Sequence, residues 1–71
     1  MIPRSKAVLL VEMRALRQAA GISQRKAAEL MGIDDNTYIR AEGGEAPSLA
    51  IALKIARFMQ RPVEEIWGLE E

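Results

Sequence analysis

The sequence predicts an all-α domain of five short helices, and three observations carry that prediction. Apolar residues recur at spacings of three and four and never alternate for long, so strand signals are absent. Gly21, Gly32, Gly43-Gly44, Pro47 and Pro62 punctuate the chain into short pieces. Ser23, Asp34 and Ser48 each stand just before such a piece, carrying the side-chain oxygen that caps free N–H groups at a helix start.

Leu9, Met13, Leu16 and Ala20 follow one another by four, three and four, which predicts a first helix over residues 6–19, ended by Gly21 as a left-handed cap. Ser23 opens the second helix, whose inner face is Ala27, Ala28 and Met31, and Gly32 closes it. Asp34 caps the third, with Tyr38, Ala41 and Glu42 on its inward side and Gly43-Gly44 at its end. The fourth is expected from Ser48 to Met59, burying Leu49, Leu53, Ala56 and Met59. Pro62 fits the first position of a short fifth turn, where its missing N–H costs nothing, and Val63, Ile66 and Trp67 then cover the base of the bundle.

The chain of 71 residues has room for a single domain, 1–71, with one small core. It has no Cys and no His, so a disulfide, a thiol nucleophile and the usual zinc ligand sets are excluded, and no metal or cofactor is expected. Hydrophobic residues make up 49% of the chain with one Tyr, one Phe and one Trp, so the core must be aliphatic. The apolar run Ala7 to Val11 is far shorter than the roughly 20 residues of a membrane span and lacks a cleavage pattern. A cytoplasmic protein with no membrane segment is expected. An enzyme is not: Asp34 and Asp35 diverge by about 100° on a helix, and Gly43-Gly44 lacks the Lys and spacing of a phosphate loop.

The second and third helices are only about eight residues each, too short to stand alone. Two such helices around a tight Gly-containing turn form a helix-turn-helix, whose second helix enters the DNA major groove. Ala27 and Ala28 suit it, because steeply crossing helices need small side chains where their backbones approach.

The run Gly21-Ile22-Ser23-Gln24, then Ala28-Glu29, Met31-Gly32-Ile33, Thr37-Tyr38, Arg40, Glu42 and Gly44, resembles the phage Cro/repressor (XRE) family. Pro47-Ser48-Leu49, Leu53-Lys54-Ile55-Ala56 and Pro62-Val63-Glu64-Glu65-Ile66-Trp67 are similar to its stand-alone, single-domain members. The resemblance covers residues 13–67, with the motif at 23–42. It implies a compact five-helix, lambda-repressor-like domain that binds double-stranded DNA as a homodimer and regulates transcription as a repressor.

The resemblance also implies residue roles. Gln24 matches the residue that touches the DNA backbone and braces the recognition helix, where free N–H groups and the helix dipole favour phosphate. Arg17 and Glu42 match a structural ion pair between the first and third helices. With Tyr38, Ala41 and Glu42 inward, Asp35, Asn36, Ile39 and Arg40 face out. Asn36 suits adenine, Arg40 guanine or phosphate, Ile39 a thymine methyl or partial burial, and Thr37 the backbone.

Asp35 departs from the family pattern, since an acid repels phosphate; it serves either cytosine N4 or only the helix dipole. Gly43 lacks a common backbone contact. Gln60-Arg61 stands where Gly-Val is frequent, which suggests a different cap at the end of the fourth helix.

Net charge is zero, but residues 1–33 carry six bases against two acids, and residues 34–71 four against eight. Arg4, Lys6, Arg14, Arg25 and Lys26 form the basic half, and Arg25 beside Gln24 is the best phosphate candidate. Glu64, Glu65, Glu70 and Glu71 lie at the far end. Phe58, Ile66, Trp67 and Leu69 either cap the core or form the dimer interface, where Trp is enriched. No small-molecule effector site is evident. The alternatives are an antitoxin-type regulator that also binds a toxin, or a protein-interaction module that has lost DNA binding.

Overall fold

In the computed structural model, residues 6–70 are described. Arg4 and Glu71, which enter the charge reading, lie outside them. The elements run β1 (Lys6–Leu9), α1 (Met13–Ala19), α2 (Gln24–Met31), α3 (Asp35–Glu42), α4 (Leu49–Met59), α5 (Val63–Ile66) and β2 (Trp67–Glu70). The five helices lie in the predicted order, joined by one small sheet.

The sheet corrects the reading of the N-terminus. Residues 6–9 are not the first turns of a helix but a strand antiparallel to β2, with Lys6 opposite Glu70, Ala7 opposite Leu69, Val8 opposite Gly68 and Leu9 opposite Trp67. Leu10 extends the pairing by donating its N–H to the Ile66 carbonyl at 2.8 Å. A five-residue apolar run has no period of its own to separate strand from helix, and its partner lies at the other end of the chain. With those residues taken, α1 shrinks to seven.

The core is built on Met13, Ala27, Ala28, Tyr38, Ala41, Ala52, Ile55, Ala56, Ile66 and Trp67. Small side chains dominate the α2 and α3 crossing, with Ala27, Ala28 and Ala41 at 1% exposure or less. In α4 the inward stripe is Ala52, Ile55 and Ala56, whereas Leu49 and Leu53 are exposed at 72% and 53%. That too corrects the expected stripe. Nearly every residue of α4 is apolar, so two stripes satisfy helical spacing and only the neighbouring helices decide.

The caps follow the chemistry of their residues. Ser23, Asp34 and Ser48 accept hydrogen bonds from the N–H groups of Lys26, Asn36 and Ile51. Gln60 takes the left-handed conformation at φ 57° that a glycine usually fills. The Arg61 N–H still reaches the Ala56 carbonyl at 3.2 Å, so α4 ends in the ordinary left-handed way rather than differently capped. Pro62 stands one residue outside α5, at its N-cap. Among the described residues no helix is long and apolar enough to cross a membrane.

Candidate nucleic-acid interface

The α2–turn–α3 unit is set by local chemistry at both ends. Gly32 ends α2 at φ 73°, letting the Ile33 N–H reach the Ala28 carbonyl at 3.0 Å and turning the chain sharply. Asp34 then starts α3 through its bond from the Asn36 N–H. Tyr38, Ala41 and Glu42 are buried on the inner side, while Asp35, Asn36, Ile39 and Arg40 are exposed on the outer one. Thr37 is half-buried, and Ile39 keeps 43% of its surface.

Glu42 fixes α3 to the rest of the domain. Arg17 donates from Nε to Oε2 at 2.9 Å and from Nη2 to Oε1 at 3.2 Å, a two-pronged pair. Gln24 Nε2 donates to the same Oε1 at 3.1 Å, and Arg14 Nε stands 3.5 Å away. Arg17 also donates through Nη1 to the Ile22 carbonyl at 2.9 Å. One carboxylate therefore joins α1, α2 and α3.

Burial alone would raise the Glu42 pKa, but the bonds from Arg17, Tyr38 and Gln24 together outweigh it and hold the group at about 2. Glu42 is consequently a fixed anion. Burial first, then the same carboxylate, pushes the Tyr38 phenol well above its ordinary value. A carboxylate accepts only, so Gln24 must turn its amide nitrogen inward, which leaves one N–H and the amide oxygen for other partners.

The exposed charges pair with one another. Arg25 Nε lies 3.9 Å from Asp35 Oδ2, linking the start of α2 to that of α3. Arg40 Nε lies 3.4 Å from Glu45 Oε2. All four side chains are more than half exposed, so each pair contributes about 0–1 kcal/mol and opens readily. The sequence reading missed Glu45 and Arg14 as partners. Glu45 lies in the α3–α4 connection, where no helical spacing announces a contact. Arg14 lies three positions before Arg17, a spacing that puts both on one helix face.

The residues grouped as a dimer contact fall in different places. Ile66 has no exposed surface and Trp67 only 8%, so both belong to the core of the single chain. Leu69 is 65% exposed on β2, and Phe58, 39% exposed, lines a recess with Leu16 and Met31 on another face. Among the described residues no group of three or more Asp, Glu, His or Cys side chains is arranged to hold a metal ion.

The helix-turn-helix family matches residues 13–66, the stretch from α1 through α5. A curated relative in Bacillus subtilis (strain 168), described as the uncharacterized HTH-type transcriptional regulator YgzD, is 36% identical over 61 residues, covering 84% of this chain and 92% of the relative. These matches span the elements that carry the α2–α3 geometry, and the chain belongs to the XRE-type helix-turn-helix family: it is a DNA-binding transcriptional regulator, not an enzyme.

Proposed function

We propose that the protein is a cytoplasmic repressor that binds a pseudo-palindromic operator as a homodimer, with α3 of each protomer in a major groove. The observation that carries this reading is the orientation of α3. Its inner side is locked by Tyr38, Ala41 and the Glu42 hub, and its outer side offers Asp35, Asn36, Ile39 and Arg40 together. Asn36 then pairs with adenine, Arg40 with guanine or phosphate, and Ile39 meets a thymine methyl. Gln24, Arg25 and Thr37 hold the phosphate backbone and set the register.

Dimerisation is supported by the sheet. Two four-residue strands are marginal alone, and Leu10, just past β1 and 56% exposed, lies over Gly68 on the Val8 face of the pair. A second copy covering that face would bury Leu10, and a dimer reading two half-sites needs its two α3 helices about 34 Å apart, one turn of DNA. The dimer contact proposed here is therefore centred on Leu10 and Val8, with Trp67 and Ile66 supporting the strand from within, while Leu69 lies on the opposite face beside Trp67.

Selection of bound sites from random duplex DNA, with light scattering of the same sample, tests the proposal. A pseudo-palindromic site, nanomolar and strongly salt-dependent binding, and a dimer mass are expected. Equal competition by random DNA would overturn sequence-specific binding, and a monomer in both free and bound states would overturn the homodimer.

A further inference from the structure

A second surface, separate from the DNA-facing side, runs between α2 and α4. Leu30, Met31, Leu53 and Phe58 line a recess of about 340 Å³ there, together with the stems of Lys54 and Arg57. Met31 and Phe58 also line a neighbouring recess of about 190 Å³ that continues to Leu16, Ala20 and Ile22 on the α1 side. The two share walls and form one apolar groove. Its leucines are not core residues: Leu30 is 52% and Leu53 53% exposed.

The charges on the α4 side of the groove have one sign. From Leu49 to Arg61 the chain carries Lys54, Arg57 and Arg61 and no acid. Lys54 Nζ donates weakly to the Gly32 carbonyl at 3.4 Å, which holds its ammonium at the groove edge, and Arg61 lines the α1 end. On the α2 side the acid is Glu29, which stands 3.7 Å from Lys26. Arg17, at the floor of the smaller recess, is already committed to Glu42.

We propose that this groove docks an amphipathic helix of a partner protein, with apolar anchors facing in and acidic side chains on its flanks. The groove lies between helices and offers no free strand edge, so an extended peptide would find no backbone ladder to join. DNA would meet the cations but leave the leucines uncovered. A bilayer would need a protruding apolar ridge rather than a recess. Only a side chain set that is apolar at helical spacing and anionic outside satisfies both halves of the surface. None of these residues is assigned to DNA contact, so partner and operator can be bound together.

Display of a library of amphipathic helices on the intact protein tests this. The apolar stripe is fixed at i, i+3/i+4 and i+7, and the outer positions vary among Asp, Glu, Lys, Arg and Gln. Enrichment of acids is expected, with affinity of the selected peptides falling about ten-fold or more in both Leu53→Asp and the double variant Lys54→Glu/Arg57→Glu. These positions are exposed, and unchanged melting temperature and operator affinity verify that the variants remain folded. No enrichment, enrichment of bases, or undiminished binding to the variants would overturn the proposal. Conversion of a wild-type dimer to a monomer by Leu53→Asp would overturn it as well, because a second copy would then be the occupant.

Discussion

Arg17 and Glu42 meet side by side across the domain, Nε to Oε2 at 2.9 Å and Nη2 to Oε1 at 3.2 Å, with the Glu42 side chain almost fully buried. Glu42 sits in the last turn of α3, so the pair sets where the recognition helix stands relative to α1. Glu42→Gln removes the charge and leaves Arg17 unbalanced. Loss of one partner of such a pair costs about 3–5 kcal/mol. Urea unfolding should therefore find a Glu42→Gln midpoint far below wild type. Replacing both groups by apolar residues (Arg17→Met with Glu42→Leu) should recover much of that loss, because neither charge is then buried alone.

The same hub makes stability depend on acid. Glu42 titrates at about 2 in the fold, against 4.5 for its ordinary carboxyl, so the unfolded chain takes up the proton first. Its contribution is fully present above pH 4.5 and disappears as pH falls toward 2. From the size of the shift it amounts to about 3 kcal/mol. Thermal melts between pH 2 and 6 should show wild type losing stability across this window. The difference between wild type and Glu42→Gln should shrink with it, and a constant difference would contradict the assignment.

Asp35 has two possible duties, and Arg25 at 3.9 Å separates them. If Asp35 reads a base, Asp35→Asn should change the preferred base at one position of the selected operator. If it acts only by holding Arg25 and serving the helix dipole, the substitution should raise affinity for every sequence alike, by freeing Arg25 for phosphate. Binding-site selection on the two proteins side by side distinguishes these outcomes.

Arg40 lies 3.4 Å from Glu45 in the free protein, and the operator contact proposed for Arg40 would compete with that pair. An exposed pair is worth at most about 1 kcal/mol, so Glu45→Gln should tighten operator binding by up to about five-fold. The salt dependence of binding should steepen too, since a neighbouring anion is gone. Weaker binding by Glu45→Gln would instead mean that Glu45 orders Arg40 for its contact.

What could be read ahead of the structure follows the range over which each feature is decided. Ser23, Asp34 and Ser48 act within three residues of themselves, and their caps stand as read. The inward set Tyr38, Ala41 and Glu42 also emerged, because the three stand at helical spacings of three and four, with Ile39 the one apolar residue of α3 left on the outer side. Arg17 with Glu42 came from family resemblance rather than spacing, the two being 25 positions apart. The β1–β2 pairing stayed invisible for the same reason of distance, and the α4 stripe because Leu49 and Leu53 are as apolar as Ile55. Asp35 with Arg25 depends on how α2 and α3 meet, and Arg40 with Glu45 on the path of the chain after α3, neither of which composition encodes.

Gln60 offers a check on backbone rather than side-chain energetics. It is the sole non-glycine residue at positive φ among those described, at 57°, at the end of α4. A side chain there is crowded by the following carbonyl, at a cost of about 1 kcal/mol or more, while glycine adds freedom to the unfolded chain that offsets part of the gain. Gln60→Gly should thus stabilise by up to about 1 kcal/mol, raising Tm by a few degrees in a domain of this size. Gly32→Ala is the mirror experiment, because Gly32 sits at φ 73° with open space around its Cβ direction. The added methyl clashes with no neighbour, so the expected loss of about 1 kcal/mol comes from conformation alone. If Gln60→Gly instead lowers Tm, the Gln60 side chain must make a contact worth more than the strain it bears.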